Sequence, residues 1–356
     1  MAQDLARSRD VTVADVAKEA RVSKAQAARA LGGYGAVSDE VASRVLAAAE
    51  LLRYRPNRLA RSMNTGKSQT IGVIVGDIEN PYFGRAIRGI YDTANSAGYQ
   101  VILINTSERH ETEVEGVNVL QDNRVDGFIV APTSSPGSIH LQAVVDSGRP
   151  LVLLDRRVAG IEADAVASNS KQAAFEATAA LLAAGHRRIG FVSTTKTSSP
   201  AYHSALDLGL TPVSDRLKGF EQAFAQACLP LPQSLVRLNA GDAAGIRTVV
   251  SDLLSGPDRV TAIIASDSVI AVSALEEVRS QHLTIPKDLS FIMFDDFPWT
   301  KIVNPPLTVV SQPMYELGVA AAETVLARIQ HKTPPVLPDF AARLIIRDSI
   351  APPPTP

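Results

Sequence analysis

The hydrophobic pattern of this chain changes period at Thr70, and that change limits what it can fold into. Downstream of it, short apolar runs at 71–75, 101–105, 127–131, 151–155, 189–193, 262–266 and 289–294 alternate with helical stretches such as 83–97, 171–184 and 267–281. Alternation of this kind predicts parallel sheets with helices on both faces. The body so defined has nearly 290 of the 356 residues. That is more than one hydrophobic core usually holds, and enough for two such lobes with a cleft between them.

Upstream the pattern is helical only. Thr12-Val13-Ala14-Asp15 and Ser23-Lys24-Ala25-Gln26 each have the form of a capping box, in which a hydroxyl accepts a backbone N–H and a side chain three residues on reaches back. The first opens a helix with Val13, Val16, Ala17 and Ala20 on one face. The second opens a helix carrying Ala27, Ala28, Ala30 and Leu31, which Gly32-Gly33 ends. Ser38 caps a third, with Val41, Val45, Ala48, Ala49 and Leu52 facing inward. Two short helices joined by a tight turn and braced by a third form a helix-turn-helix unit. The basic stretch 54–67 reads as a linker containing a short helix.

Charge separates along the same boundary. Residues 1–67 hold 12 Lys+Arg against 7 Asp+Glu, and the remainder 23 against 30. A basic head on an acidic body points to a polyanion as partner for the head alone. Cys228 is the single cysteine and forms no internal disulfide, which suits a reducing compartment. With no signal-peptide-like or membrane-spanning run, the expected location is the cytoplasm.

These stretches, in order, resemble the lactose-repressor (LacI/GalR) family of bacterial transcriptional regulators. The matching residues are Val11-Thr12-Val13-Ala14-Asp15-Val16-Ala17-Lys18-Glu19-Ala20, Val22-Ser23, Arg53-Tyr54-Arg55-Pro56-Asn57 and Ala60-Arg61-Ser62. They continue with Thr70-Ile71-Gly72, Asn80-Pro81-Tyr82-Phe83, Arg124-Val125-Asp126-Gly127, Gly185-His186-Arg187-Arg188-Ile189 and Phe294-Asp295-Asp296. The resemblance implies an all-α head and an α/β two-lobed body of the periplasmic-binding-protein type I kind, with parallel sheets. The expected divisions are a DNA-binding head over 1–57 and a hinge helix and linker over 58–68. The first lobe is expected over 69–168 with 308–330, the second over 169–296 with 335–350, and a proline-rich tail over 351–356. The implied activity is DNA binding, with repression the expected outcome, controlled by a small polar effector, a sugar or sugar derivative. The implied partners are double-stranded DNA with a near-palindromic operator, the effector, and a second copy of the chain, without any cofactor.

Phosphate contacts supply affinity and base edges supply specificity. A recognition helix presents its N-terminal residues to the major groove, which here are Lys24, Ala25 and Gln26, with Arg29 one turn on. By the resemblance Lys24, Ala25 and Arg29 are the leading base readers. Arg58 and Arg61 would lie near phosphates, and Met63 would be the minor-groove wedge where leucine is usual. Arg21 stands where the family usually has glycine in the turn, which implies a strained or reshaped turn, or a gained phosphate contact. Ala28 stands where serine is common.

For the effector, Tyr82 and Phe83 follow the first strand, where open parallel sheets bind ligands. Arg216 and Asp295 match the family's effector ligands, the arginine or a hydroxyl partnering the carboxylate. Asn169 is placed at the lobe junction, and Ser266 and Asp267 follow a strand of the second lobe. Phe83 reads equally as core, and Asp267 reads first as the cap of the helix it begins. Three departures from the family concern this site. The stretch between Gly190 and Arg216 is longer than usual by roughly a dozen residues, beyond an ordinary loop. Asn239-Ala240 stands where an aromatic is frequent, with Tyr202 a candidate replacement for that ring, and Met293 replaces a small residue.

A solute-binding protein for transport fits the body but not the head. An enzyme lacks support: there is no nucleophile elbow, metal-ligand spacing or phosphate loop. Asp295 and Asp296 are adjacent at a strand end and face different ways, and His186 sits at a helix end where a cation would complement the dipole. The proline-rich tail has no heptads to join two dimers. Light scattering at micromolar concentration is therefore expected to give a dimer mass, and a tetramer mass overturns that reading.

Overall fold

The computed structural model describes residues 11–32, 35–54, 67–133, 137–197, 201–208 and 212–354. They form two compact units, 1–69 and 70–356.

The head is three helices: α1 (Val13–Glu19), α2 (Lys24–Gly32) and α3 (Asp39–Leu51). Both expected capping boxes form. Thr12 N donates to Asp15 Oδ2 at 2.8 Å, and Ser23 N donates to Gln26 Oε1 at 3.0 Å while Gln26 N donates back to Ser23 Oγ at 3.2 Å. Ser38 caps α3 by accepting from Val41 N. The buried core is Val16, Ala17, Ala20, Ala27, Val45 and Ala48, small side chains that let three short helices approach closely. Arg21 has φ +53, as its glycine-like place in the turn requires. Arg21 N bonds Lys18 O and Val22 N bonds Ala17 O, at 3.2 and 3.0 Å. This is a complete Schellman ending built on an arginine, at a steric cost of about 1–2 kcal/mol.

In the body, β1 (Thr70–Val75), α4 (Pro81–Ser96), β2 (Gln100–Asn105), α5 (His110–Asp122), β3 (Gly127–Val130), α6 (Ile139–Asp146), β4 (Leu151–Leu154) and β5 (Asp164–Val166) build the first lobe. The second continues with α7 (Lys171–Ala183), β6 (Ile189–Val192), α8 (Pro212–Gln226), β7 (Val236–Arg237), α9 (Ala243–Leu254), β8 (Ala262–Ala265), α10 (Ser268–Ser280), β9 (Ser290–Phe294) and β10 (Thr308–Ser311). Then come α11 (Met314–Ile329) and β11 (Arg343–Ile345). The first sheet is parallel, ordered β2-β1-β3-β4-β5. The second is ordered β11-β10-β9-β8-β6-β7 and is parallel except for β11.

One expected boundary is corrected. Residues 308–311 do not return to the first lobe: they are β10, paired with β9. The return begins at α11, whose apolar face joins the core of the first sheet through Leu317, Ala321, Val325 and Ile329. The chain therefore crosses between lobes three times, after β5, after β10 and after α11. Two crossings pair with each other: Asn169 N donates to Phe340 O at 2.9 Å and Ala342 N to Asn169 O at 3.2 Å. Among the described residues no helix is long and apolar enough to cross a membrane.

His186 is corrected too. It is buried, with Nδ1 2.8 Å from Thr261 Oγ1 and Nε2 2.9 Å from both Ser290 Oγ and Ala351 O. Burial pushes its pKa down, so it serves as a neutral clasp on the tail rather than as a dipole-paired cation.

Helix α11 docks on α4 with backbone nearly touching backbone. A Cβ on Gly318 would lie 2.0 Å from Ala86 O, and one on Gly89 would lie 2.2 Å from Tyr315 O. Both contacts are with backbone, so neither side can yield by changing a rotamer. Gly318→Ala is expected to force the helices apart and destabilise the body by about 1–3 kcal/mol. Thermal unfolding checks this, and an unchanged melting temperature contradicts the close packing.

Candidate effector cleft and DNA-facing helix

The carboxyl ends of the strands of both sheets open into one cleft of about 960 Å³. This is where parallel sheets leave backbone and side chains free to meet a ligand. From the first lobe, Asn80 caps α4 by accepting from Tyr82 N at 3.0 Å, and Pro81 occupies the first turn. That start sets Tyr82 and Phe83 at the cleft edge, their rings edge to face at 5.3 Å. Both are buried and belong also to the core of the first lobe, so Phe83 has both of its expected characters. The Tyr82 hydroxyl donates to Asp155 Oδ1 at 2.7 Å. Burial, then Asp155, hold the phenol well above its usual pKa, so it stays a donor.

Asp155 follows β4, and Asp295 follows β9. Each takes a left-handed backbone, φ +67 and +81, uncommon for a residue with a side chain. Both line the cleft, one from each sheet. Asp295 is only 1% exposed. Its hydrogen-bond partner is neither Arg216 nor a hydroxyl, the two the sequence suggested, but Gln312, whose Nε2 donates to Asp295 Oδ1 at 2.7 Å. Gln312 Oε1 accepts from Ser168 Oγ at 2.8 Å and from Arg216 Nη2 at 3.4 Å. Arg216, also buried, donates through Nη1 to Ser266 O and stacks 4.3 Å above the Phe294 ring. Three polar atoms here are buried without a hydrogen-bond partner: Arg216 Nε, Ser266 Oγ and Ser268 Oγ. Asp267 lines the cleft and also caps α10, accepting from Ile270 N at 2.9 Å. Burial raises its pKa, while that backbone bond and Arg216 lower it.

Several expected residues fall elsewhere. Asn169 lies at the lobe junction, but there it is exposed and serves the backbone pairing between crossings; it does not line the cleft. Ser266 offers the site only its carbonyl, through Arg216, and its side chain does not line the cleft. Tyr202 does not replace the missing ring. It is buried in the second-lobe core, and its hydroxyl donates to Glu221 Oε1 at 2.6 Å, anchoring the long insertion to α8. Asp296 turns away from the cleft, as expected for the second of two neighbouring carboxylates, and pairs with Arg347 at 2.7 Å. Burial would raise its pKa, but the bonds from Arg347 and Thr300 bring it below the usual value.

Others were not foreseen. Gln312 follows β10, a four-residue strand whose Val309 and Val310 are too short a run to read as one. Asp155 carries the same signal as Asp295, an apolar run ending in aspartate. Arg156 holds Glu108 through two bonds of 2.7 and 2.8 Å and also bonds Pro132 O. Burial opposes its charge, but Glu108 more than offsets this, so the guanidinium remains charged.

In the head, Lys24 and Ala25 are exposed at the start of α2. Gln26 is turned back onto Ser23, so its carbonyl oxygen is engaged in capping, with Ser23 Oγ also 3.0 Å away. Arg29 is half-buried, its Nε donating to Ala25 O at 3.2 Å. Arg58, Arg61 and Met63 lie outside the described residues.

A helix-turn-helix unit joined to a two-lobed receptor body defines a ligand-controlled DNA-binding protein. Comparison with known proteins agrees. The family model "Bacterial regulatory proteins, lacI family" matches residues 12–57, and "Periplasmic binding proteins and sugar binding domain of LacI family" matches 68–338. The chain is 30% identical over 321 residues to the ribose operon repressor of Haemophilus influenzae, covering 90% of this chain and 92% of that one. It is 32% identical over 323 residues to the transcriptional repressor CytR of Escherichia coli K12, covering 90% of each. A solved LacI-family regulator from Enterococcus faecium with bound ribose matches with a TM-score of 0.66 at 27% identity, covering 80% of this chain and 99% of that one. The chain belongs to the LacI family. It is a DNA-binding transcriptional regulator with an effector-binding body, in a family that is not enzymatic.

Burial lifts the Asp295 carboxyl to about 7, with Arg216 and the Gln312 bond only partly opposing it and Asp267 and Asp155 adding to it. The unfolded chain ionises near 3.8. Between these values the folded state holds the extra proton, so this contribution to stability is complete below about 3.8 and is lost as pH rises through about 7. Asparagine tolerates the left-handed backbone, can still accept from Gln312 and does not ionise. Asp295→Asn is expected to gain melting temperature over the parent progressively from about pH 5 to pH 8. Parallel melting curves for the two proteins across that range would show that Asp295 does not titrate there.

Proposed function

We propose that the effector is a sugar or sugar derivative bound between the lobes, and that it sets the operator affinity of a homodimer reading a near-palindromic site. The observation carrying this is the pair Asp155 and Asp295, which line one cleft from opposite sheets beside Tyr82 and Phe83. Carboxylates accept hydrogen bonds from ring hydroxyls, and aromatic faces cover the C–H side of a ring. Tyr82, Phe83, Arg216, Asp267 and Asp295 are assigned to effector binding, with Ser266 acting through Arg216. Ribose is the first ligand to test, because a ribose operon repressor and a ribose-bound regulator are among the similar proteins. In the head we assign Lys24, Ala25 and Arg29 to base reading, with Gln26 mainly holding the helix start.

A ligand that touches both lobes favours one closure state, and it shifts DNA binding only by its differential affinity for the two states. Calorimetry with ribose, then with other pentoses, hexoses and nucleosides, is expected to find a ligand whose addition changes operator binding in gel shifts. Asp295→Ala is expected to remove that response while leaving effector-free operator binding near normal. A variant that binds and responds like the parent overturns the assignment of Asp295.

A further inference from the structure

On the first lobe, outside the residues that line the cleft, three side chains converge that the regulator function does not use. His110 and Glu113 are the first and fourth residues of α5, a spacing that puts both on one helix face. His140 is the second residue of α6. Glu113 is fully buried, with Oε1 2.5 Å from His140 Nε2. The His110 and His140 rings meet edge to face at 5.2 Å. One potential ligand atom from each of the three residues lies within 4.8 Å of the other two.

We propose that His110, Glu113 and His140 bind a divalent transition-metal ion, with zinc the fitting probe. Two imidazoles and a carboxylate are the donor set that borderline ions prefer over magnesium or calcium. Tetrahedral bonds of about 2.0–2.2 Å set ligand atoms roughly 3.3–3.6 Å apart, a spacing that small side-chain rotations reach from the present one. The second oxygen of Glu113 accepts from Thr133 N at 2.5 Å. That bond orients the carboxylate, the usual arrangement around a ligating group, while the contact of Oε1 with His140 Nε2 is the one an ion would replace by sitting between the two atoms. Two further observations point to a ligand. A buried carboxylate calls for a cation; the Arg156 guanidinium acts on Glu113 only through space, and the side chain in direct contact with it is the His140 imidazole. Beside it, the buried Thr133 hydroxyl has no hydrogen-bond partner, which suits a contact to water on the open fourth position. The ion would also brace the loop 131–133, whose Pro132 carbonyl accepts from the cleft residue Arg156.

The test uses untagged full-length protein, stripped with a chelator and titrated with zinc chloride by calorimetry in a non-coordinating buffer. One ion per chain is expected, with affinity at least tenfold lower in His110→Ala and in His140→Ala. Zinc is expected to raise the melting temperature of the parent and not that of His110→Ala. His110 is half-buried, so its variant should fold even if His140→Ala does not, and circular dichroism checks both. Cobalt(II) in place of zinc should give the visible bands of a tetrahedral site, absent in His110→Ala. Cys228→Ser should bind as the parent does, because the exposed thiol is not part of the cluster. Binding unaffected by His110→Ala, or no binding by the parent, overturns the proposal.

Discussion

The amide side chain of Gln312 holds the cleft together. It accepts from Arg216 and Ser168 on one atom and donates to Asp295 on the other. Only a group with both capacities can stand between a guanidinium and a carboxyl and satisfy each. Without it, Arg216 and Asp295 would each lose a hydrogen-bond partner in a low-dielectric space, where an unmet buried polar group costs several kcal/mol. Because the amide is neutral, the carboxyl is not clamped as an ion. It keeps hydrogen-bonding capacity for whatever enters the cleft.

The placement of that network follows from the topology. Parallel strands end on the same side of their sheet, and four polar groups of the cleft sit one or two residues past such an end: Asp155 after β4, Asp267 after β8, Asp295 after β9 and Gln312 after β10. At 155 and 295 the backbone turns at once into the left-handed region. The two lobes thus solve the same geometric problem in the same way. The arginines differ: Arg156 comes from a strand end, and Arg216 rises from the body of α8.

Much of this was legible in the sequence because it depends on periodicity and on local hydrogen bonds. The capped starts at Thr12, Ser23 and Ser38, the core faces of the head, and most strands of the body are encoded within a few residues. The positive φ at Arg21 could be anticipated because the turn needs it whatever side chain is there. What escaped was nonlocal. Strand β10 is too short to announce itself, so Gln312 had no strand end to follow and the first lobe was expected to resume too early. Tyr202 looked like a ligand-binding ring because its destination depends on Glu221, on a helix it meets only after folding. Asn169 was correctly placed at the junction, but which way it faces is decided by Phe340 and Ala342, far along the chain. His110, Glu113 and His140 lack a metal-site spacing because the third member comes from another helix.

The pairing of Asn169 with the 340–342 segment has a mechanical consequence. Three separate threads between two bodies would allow opening, twisting and sideways slip alike. Two threads stitched into one ribbon by backbone bonds resist slip and twist, and leave bending across the ribbon as the soft direction. The receptor is therefore built to move like a book about its spine: whatever lies between the covers can change their angle, and little else.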